Sequence, residues 1–151
     1  MSEPLLESRW LMKLDMSIAP PSVATPSIVV INVLDGFAEG PNIKARIAGP
    51  SGDWARLQDN GNWKIDARLA FVTDDGEPFY CYYNGVIRME NGLSYRIASG
   101  ETIGRDEIYM RAAPNFETAS EKYAWLNNIL TVCKVTEFGG GRVAYDVFEI
   151  L

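Results

Sequence analysis

Turn dipeptides recur along this chain at intervals that suit short β-strands. They are Asp35-Gly36, Asn60-Gly61, Asp75-Gly76, Asn84-Gly85 and Asn91-Gly92. Asn or Asp followed by Gly readily adopts the positive φ angles that tight hairpins need. The runs between the dipeptides are rich in Val, Ile, Tyr, Phe and Trp, which favour strands. Turns at a spacing of roughly 8 to 12 residues predict an all-β barrel or sandwich.

The predicted strands follow from these runs. They cover residues 10–18, 28–34, 43–47, 63–73, 79–83, 86–89, 94–98, 106–112, 129–138 and 142–150. Three glycines at 139–141 predict a hairpin, since they lack the Lys-Ser/Thr of a phosphate-binding loop. Residues 119–127 are the one predicted short helix, with Ser120 as its N-cap, or else an irregular crossing. A chain of 151 residues predicts one domain, residues 1–151, with its own core.

Composition excludes several classes of chemistry. The net charge is −6 and the 14 basic residues are scattered, which argues against a nucleic-acid partner. The chain has no histidine, so Ser-His-Asp, Cys-His and His-based zinc sites are excluded. Catalysis would have to use Asp, Glu, Tyr, Arg, Lys or Cys. We expect no metal and no cofactor.

Several features predict a cytoplasmic protein that does not cross a membrane. No apolar run approaches the 18 or more residues of a membrane helix, and the start Met1-Ser2-Glu3-Pro4 does not resemble a secretory signal. Cys81 and Cys133 lie in strand-like runs without metal-ligand spacing. In a reducing compartment a disulfide between them is not the default, and the alternation around Cys81 predicts a buried small hydrophobe.

The predicted strand 63–73 carries two charges in its middle. Alternation puts Trp63, Ile65, Ala67, Leu69 and Phe71 on one face and Lys64, Asp66, Arg68, Ala70 and Val72 on the other. Asp66 and Arg68 therefore lie about 7 Å apart on one face. They are either a structural ion pair or a lumen pair in which Arg68 orients a carbonyl or enolate oxygen while Asp66 moves a proton. Strand parity leaves open which face points inward.

Asp53 and Trp54 follow Gly52 in a predicted loop. They are either a turn carboxylate with a core tryptophan, or an acid-base group at a barrel mouth with an apolar wall. Tyrosines add a second source of hydrogen bonds: they are Tyr80, Tyr82, Tyr83, Tyr109, Tyr123 and Tyr145. A phenol inside a barrel would offer an oxygen partner and a flat wall, although core packing accounts for at least half of such residues.

Ordered motifs in the chain resemble a known family. They are Gly40-Pro41, Gly52-Asp53-Trp54, Ile65-Asp66-Ala67-Arg68, Thr73-Asp74-Asp75-Gly76, Tyr83-Asn84-Gly85, Phe116-Glu117-Thr118, Tyr123-Ala124-Trp125-Leu126-Asn127 and Tyr145-Asp146-Val147-Phe148-Glu149. Their order and spacing over about residues 36–150 resemble the family catalogued as domain of unknown function 3237. The resemblance implies an all-β fold, a closed antiparallel β-barrel of about eight to ten strands with at most one short helix, similar in build to allene oxide cyclase and dirigent-type barrels. It also implies a homodimer or higher homo-oligomer, and no settled activity.

These observations lead to a functional hypothesis. We expect a cofactor-independent enzyme, of isomerase or lyase type, that holds a hydrophobic polyketide, terpenoid or aromatic molecule in its lumen and promotes isomerisation, cyclisation, dehydration or a pericyclic closure. The expected catalytic residues are Asp53, Asp66 and Arg68. The expected substrate-binding residues are Trp54, Tyr82, Tyr109, Arg111, Phe116, Trp125 and Asn127. The alternatives are a non-catalytic carrier or chaperone of a small molecule and a structural oligomer.

Overall fold

A computed structural model describes residues 2–151 and consists mostly of β-strands. The strands are β1 (Ser8–Ile18), β2 (Ser22–Thr25), β3 (Ile28–Gly40), β4 (Ile43–Ile47), β5 (Gly52–Leu57), β6 (Trp63–Thr73), β7 (Pro78–Ile87), β8 (Ile103–Gly104), β9 (Met110–Glu117), β10 (Thr131–Gly139) and β11 (Arg142–Ile150). One α-helix, α1 (Leu93–Ala98), and one 3-10 helix (Ala124–Asn128) complete the regular elements. No helix in residues 2–151 is long and apolar enough to cross a membrane.

The strands close into an antiparallel barrel. The order of strands around the barrel is β1, β11, β10, β9, β7, β6, β4 with β5, and β3. β4 and β5 share one position between β6 and β3, and β3 closes the barrel by pairing with β1. Eight strand positions thus form the barrel, while β2 and β8 extend it at β3 and β10. The predicted closed β-barrel is confirmed. Each barrel strand thus has a paired strand on both sides, although β9 and β10 pair only at Arg111–Lys134 and Ala112–Cys133.

The pleat decides which side chains fill the barrel. On β6 the side chains of Ile65, Ala67, Leu69 and Phe71 are at most 2% exposed, because successive residues of a strand point to opposite faces. The predicted burial of Cys81 is confirmed, and its thiol, like that of Cys133, is free. Burial raises the pKa of the Cys81 thiol well above its ordinary value. Both cysteines therefore pack as small apolar side chains.

One end of the barrel is plugged by aromatic packing. Phe71 stacks on Phe79 with ring centroids 4.9 Å apart, and Phe79 meets Phe116 at 6.2 Å. Tyr123 and Leu126, from the segment that crosses this end, are buried in the same core. At the opposite end, where β6 begins and β7 ends, Trp63 and Met89 line a cavity.

The plug is tied to the turn between β6 and β7 through Asp75. Its carboxylate accepts hydrogen bonds from the Thr73 hydroxyl at 2.6 Å, the Tyr123 hydroxyl at 2.9 Å and the Lys122 ammonium at 2.5 Å. The bonds from Lys122 and Tyr123 connect sequence positions that are 47 and 48 residues apart. They hold the crossing segment against the barrel end.

We expect Asp75→Asn to loosen this plug. The pKa of Asp75 lies well below its ordinary value of 3.8, first because of the hydrogen bond from Lys122 and then because of those from Thr73 and Tyr123. A carboxyl group with a depressed pKa stabilises the fold fully at pH values above its unfolded-state pKa. This stabilisation is lost as the pH falls through the folded-state pKa. The Tm of the variant should therefore be lower than that of wild type at neutral pH, and the difference should begin to narrow as the pH falls below about 4. Asp74→Asn, at the exposed neighbour, is the control, and an unchanged Tm for Asp75→Asn at neutral pH would contradict the assignment.

Two predicted turns are wrong because their glycines serve another purpose. Asp35-Gly36 and Asn84-Gly85 lie inside β3 and β7, so the predicted strands 79–83 and 86–89 are one strand. A Cβ on Gly85 would lie 2.4 Å from the Arg111 carbonyl oxygen, and one on Gly36 would lie 2.7 Å from that of Asp15. These glycines allow adjacent strands to approach closely. The predicted turns at Asn60-Gly61 and Asp75-Gly76 are confirmed by positive φ angles at both glycines.

The short helical segments also differ from the prediction. Residues 94–98, predicted as a strand, belong to α1, in which Leu93 and Ile97 pack one turn apart against the core. The predicted helix 119–127 is only the 3-10 helix Ala124–Asn128. The predicted strand 106–112 lies later, as β9, and Pro114 sits inside it rather than ending it. Leu93 and Ile97 lie on one face in either conformation, so a segment this short fits the period of a helix and that of a strand equally well.

Candidate functional site

Strand β5 carries a carboxylate into the barrel. Asp53 pairs with Ile31 on β3 and with Ala67 on β6, and both neighbours are buried lumen residues. Asp53 therefore shares their inward face, while Trp54 points outward. The Asp53 side chain lines a small lumen cavity of about 30 Å³. That volume is roughly the space of one water molecule, so it suits one small polar group.

The lumen makes the Asp53 carboxyl group a weaker acid than usual. Burial raises its pKa from 3.8 to about 6, and the charge of Asp66 adds to the effect. The backbone N–H of Asp66 opposes the rise by donating a hydrogen bond to Asp53 Oδ1 at 2.8 Å. A carboxyl group with a pKa near 6 accepts and releases protons close to neutral pH, as a general acid-base catalyst requires.

Two tyrosines lie against the same lumen cavity. Tyr83 on β7 and Tyr145 on β11 are buried, and their ring centroids are 5.9 Å apart in an edge-to-face arrangement. Burial raises the pKa of both phenols well above the ordinary value, and the nearby charge of Asp53 contributes to each rise. Both phenols therefore stay protonated near neutral pH and can donate hydrogen bonds to an oxygen in the lumen.

A larger cavity opens at the unplugged end. It holds about 570 Å³ between α1 and the segment that follows β1. This size falls in the range of small-molecule sites. Ile18, Ile31 and Phe138 line both this mouth cavity and the lumen cavity, so the two spaces adjoin.

The lining of the mouth cavity is almost entirely apolar. Trp63, Met89 and Ile97 contribute apolar walls, and Ser94 contributes a hydroxyl. None of the described residues that line it carries a charge. The hairpin glycines 139–141 also border it, all with positive φ, and their lack of side chains keeps this end open. The mouth cavity therefore suits an apolar molecule.

Asp66 and Arg68 lie on the outside of the barrel. The Asp66 carboxylate pairs with Arg56 at 3.3 Å and with Arg68 at 3.9 Å, and the Arg68 side chain is 55% exposed. The lumen face of β6 is the apolar one that ends at Phe71. Of the two interpretations of this pair, the geometry matches the structural ion pair. Asp66 contributes to the lumen through its backbone N–H and its charge.

Four of the expected substrate-binding residues are also on the outer surface. Trp54 is 37% exposed and lies under the Arg68 guanidinium, whose Cζ is 5.4 Å from the ring centroid. Tyr109 lies between Arg88 and Arg111, at 4.0 and 4.6 Å. Tyr82 stacks on Tyr80 on the outward face of β7. These contacts are cation–π and aromatic pairs on the barrel wall, away from the lumen.

The remaining three expected residues are at the plugged end. Phe116 packs in the aromatic plug, and Trp125 is partly buried against the core. The Asn127 side chain accepts a hydrogen bond from the Thr118 N–H and donates one to the Thr118 carbonyl. Among the residues expected at the site, only Asp53 borders the lumen cavity.

Sequence reasoning named Tyr83 and Tyr145 among the tyrosines of the barrel but did not include them among the expected substrate-binding residues. Parity indicated that Tyr83 shares a face with the buried Cys81, and the same argument places Tyr145 with Val143 and Val147. Both phenols were therefore recognisable as inward-facing residues, although their proximity to Asp53 depends on barrel closure.

No three Asp, Glu, Cys or His side chains of residues 2–151 are arranged to hold a metal ion.

Comparison with known proteins places the chain in a family. A UPF0311 protein of Rhodopseudomonas palustris is 27% identical over 152 residues, covering 98% of this chain and 99% of that protein. Its crystal structure superposes with a TM-score of 0.92, covering 99% of this chain and 100% of that one. A β-barrel-like protein of Acinetobacter baumannii is 26% identical, with a TM-score of 0.79 and 99% of each chain covered.

A more distant structure shares the fold. A protein of Penicillium herquei, described as an enzyme, has a TM-score of 0.69 at 17% identity, covering 100% of this chain and 99% of that one. The sequence model described as "Protein of unknown function (DUF3237)" matches residues 4–150. The predicted resemblance is confirmed. The chain therefore belongs to the DUF3237 family.

Proposed function

We propose that this barrel is a cofactor-independent enzyme that moves a proton on a hydrophobic small molecule and so promotes its isomerisation or cyclisation. The observation that carries the proposal is the position of Asp53. Its carboxylate lines the small lumen cavity, which adjoins the apolar mouth cavity. Such a site can hold the body of a substrate while presenting one reactive end to an acid-base group.

In the proposed reaction Asp53 acts as the base. It takes a proton from a carbon next to a carbonyl group, and the electron pair moves to the carbonyl oxygen to form an enolate. The phenols of Tyr83 and Tyr145 donate hydrogen bonds to that oxygen as its charge develops. The protonated carboxyl then returns the proton to a different carbon, which completes an isomerisation without an oxidant or reductant.

The apolar mouth cavity supports a substrate that is mostly hydrocarbon. Burial of such a molecule is favourable at roughly 25 cal/mol per Å² of apolar surface, and it also displaces water from around Asp53. A polyketide, terpenoid or aromatic compound with one carbonyl or hydroxyl group would meet this description. The Penicillium herquei protein of the same fold is described as an enzyme, which supports the view that such a barrel can carry catalysis.

Solvent deuterium exchange tests the proposal without knowledge of the natural substrate. β-Tetralone is an apolar bicyclic ketone with exchangeable hydrogens next to its carbonyl. In D₂O the wild-type protein should speed deuterium uptake, measured by mass spectrometry, by on the order of 100-fold over Asp53→Asn. Asp66→Asn, which removes a carboxylate on the outer wall, should retain most of the acceleration. Equal exchange with wild type and Asp53→Asn would refute a proton-transfer role.

A carrier of hydrophobic molecules is the second candidate, favoured by the near absence of polar groups around the mouth cavity. A carrier would bind β-tetralone and leave its exchange rate unchanged. The same experiment, combined with a binding measurement, therefore separates the two functions.

A further inference from the structure

The charge of Asp53 has no counter-ion inside the barrel. None of the described residues that line the lumen cavity or the mouth cavity is Lys or Arg. The nearby guanidinium groups of Arg56 and Arg68 pair with Asp66 on the outer wall. Among residues 2–151, the hydrogen-bond partner of the Asp53 carboxylate is the backbone N–H of Asp66, which binds Oδ1. Oδ2 has no hydrogen-bond partner among these residues.

Aromatic rings surround the same space. Tyr83, Tyr145 and Phe138 line the lumen cavity together with Asp53, and Trp63 lines the mouth cavity beyond them. Aromatic faces attract a cation through the ring quadrupole, and this attraction is stronger in a desolvated site. The lumen thus combines a carboxylate that lacks a counter-ion with several rings that favour positive charge.

From this combination we infer that the site binds apolar molecules that carry a protonated amine at their inner end. The ammonium group would donate a charge-assisted hydrogen bond to Asp53 Oδ2 among the lumen aromatics, while the hydrocarbon body occupies the mouth cavity. For the proposed reaction, such amines would act as competitive inhibitors. The inference itself requires only that the cavities admit a ligand, and it does not depend on catalysis.

Ligands of the same shape with a neutral or negative inner end should bind less tightly than the ammonium ligand. A hydroxyl group supplies one hydrogen bond to Asp53 and leaves its charge uncompensated. A carboxylate would add a second negative charge to a site that contains no cation, which is unfavourable at short range in an apolar environment. The charge at the inner end of the ligand should therefore set the order of affinity.

The groups around Asp53 allow the pH dependence to be assigned. Tyr83 faces it from β7, Tyr145 from β11 and the backbone of Asp66 from β6. The neighbouring side chains from β3, β9 and β10 are Ile31, Met110 and Phe138, which do not titrate. Burial raises the pKa of both phenols, so they stay protonated from acid to neutral pH. Asp66 lies on the outer wall, and its contribution is measured separately with Asp66→Asn.

Four naphthalene probes with the same ring position test the inference. They are naphthylmethylamine, naphthylmethanol, methylnaphthalene and naphthoate, and their dissociation constants are measured by calorimetry at about pH 8, where the amine is protonated. The amine should bind wild type on the order of tenfold more tightly than the alcohol, and naphthoate should bind more weakly than methylnaphthalene. Asp53→Asn should abolish the preference for the amine, whereas Asp66→Asn should keep it.

The inference would be overturned if the amine bound wild type no more tightly than the alcohol. It would also be overturned if Asp53→Asn preferred the amine over the alcohol as strongly as wild type does. If Asp53→Asn does not fold, a pH series with wild type decides the question, because protonation of Asp53 below about pH 6 should remove the preference for the amine. This outcome is separate from that of the exchange experiment. An amine preference without β-tetralone exchange would refute the enzyme alone, and exchange without an amine preference would refute this inference alone.

Discussion

Replacing Asp53 with Asn should raise the free energy of unfolding at about pH 8 by roughly 2–3 kcal/mol. Burial in the lumen raises the pKa of this carboxyl group from 3.8 to about 6, so the folded protein carries the cost of a desolvated charge at higher pH. Asparagine is similar in shape, and its side-chain oxygen can still accept the hydrogen bond from the Asp66 N–H. The variant removes the charge and keeps the contact.

The sign of the pH dependence follows from the raised pKa of Asp53. At low pH the Asp53 carboxyl group is protonated in both the folded and the unfolded protein, so its charge does not affect the free energy of unfolding. Between about pH 4 and pH 6 the unfolded chain loses this proton first, and wild type becomes less stable relative to the variant as the pH rises. Above about pH 6 the difference in the free energy of unfolding between Asp53→Asn and wild type should have reached its full value. Urea unfolding at several pH values measures it.

The outer-wall variant Asp66→Asn is the matched control for this prediction. Its carboxylate is part of a surface ion pair, so its loss should change the free energy of unfolding by no more than about 1 kcal/mol. An Asp53→Asn variant that is less stable than wild type at pH 8 would show that the Asp53 charge is stabilised in the lumen. The expected combination is a variant that is more stable and catalytically inactive, a pattern typical of functional residues.

Replacing Ala98 with Trp should block the mouth cavity. Ala98 lies at the end of α1 and lines the cavity, which holds about 570 Å³. An indole projecting from this position would occupy a large part of the space that the ligand needs. We expect the affinity for methylnaphthalene to fall on the order of 100-fold or more, because the ligand would lose most of its apolar burial.

Tyr95→Trp is the control for the blocked mouth. It places the same indole on the same helix, at a side chain that is 79% exposed and does not line the cavity. Both variants should retain the stability of wild type within about 1 kcal/mol, since exposed helix positions tolerate substitution. Unchanged methylnaphthalene binding by Ala98→Trp would mean that ligands enter elsewhere.

The strands with long, regular alternation were predictable from the sequence. β4, β6 and β11 have the predicted bounds because each run keeps one face apolar between clear turn residues. Asn84-Gly85 misled the prediction, because a glycine that permits close strand packing looks the same in the sequence as one that makes a turn. The segment 94–98 is too short for its period to distinguish a helix from a strand.

The candidate site was predictable only in part. Asp53 was predicted in a loop at a barrel mouth, whereas the structure places it on β5, where it lines the lumen cavity. The orientation of Asp66 and Arg68 depends on which face of β6 closes around the lumen, and that is decided by pairing with β5 and β7. Tyr83 and Tyr145 come together because distant strands complete the barrel. Their proximity to Asp53 is a property of the closed fold.

The most direct test of the central claim is a titration of the Asp53 carboxyl carbon by NMR. The protein is labelled with ¹³C-aspartate, and the Asp53 resonance is assigned by its absence from Asp53→Asn. We predict a pKa of about 6 for Asp53, with the resonance of the carbon shifting as the lumen carboxyl group loses its proton. An ordinary aspartate pKa near 4 would contradict the account, because it would mean that Asp53 is solvated and unsuited to proton transfer near neutral pH.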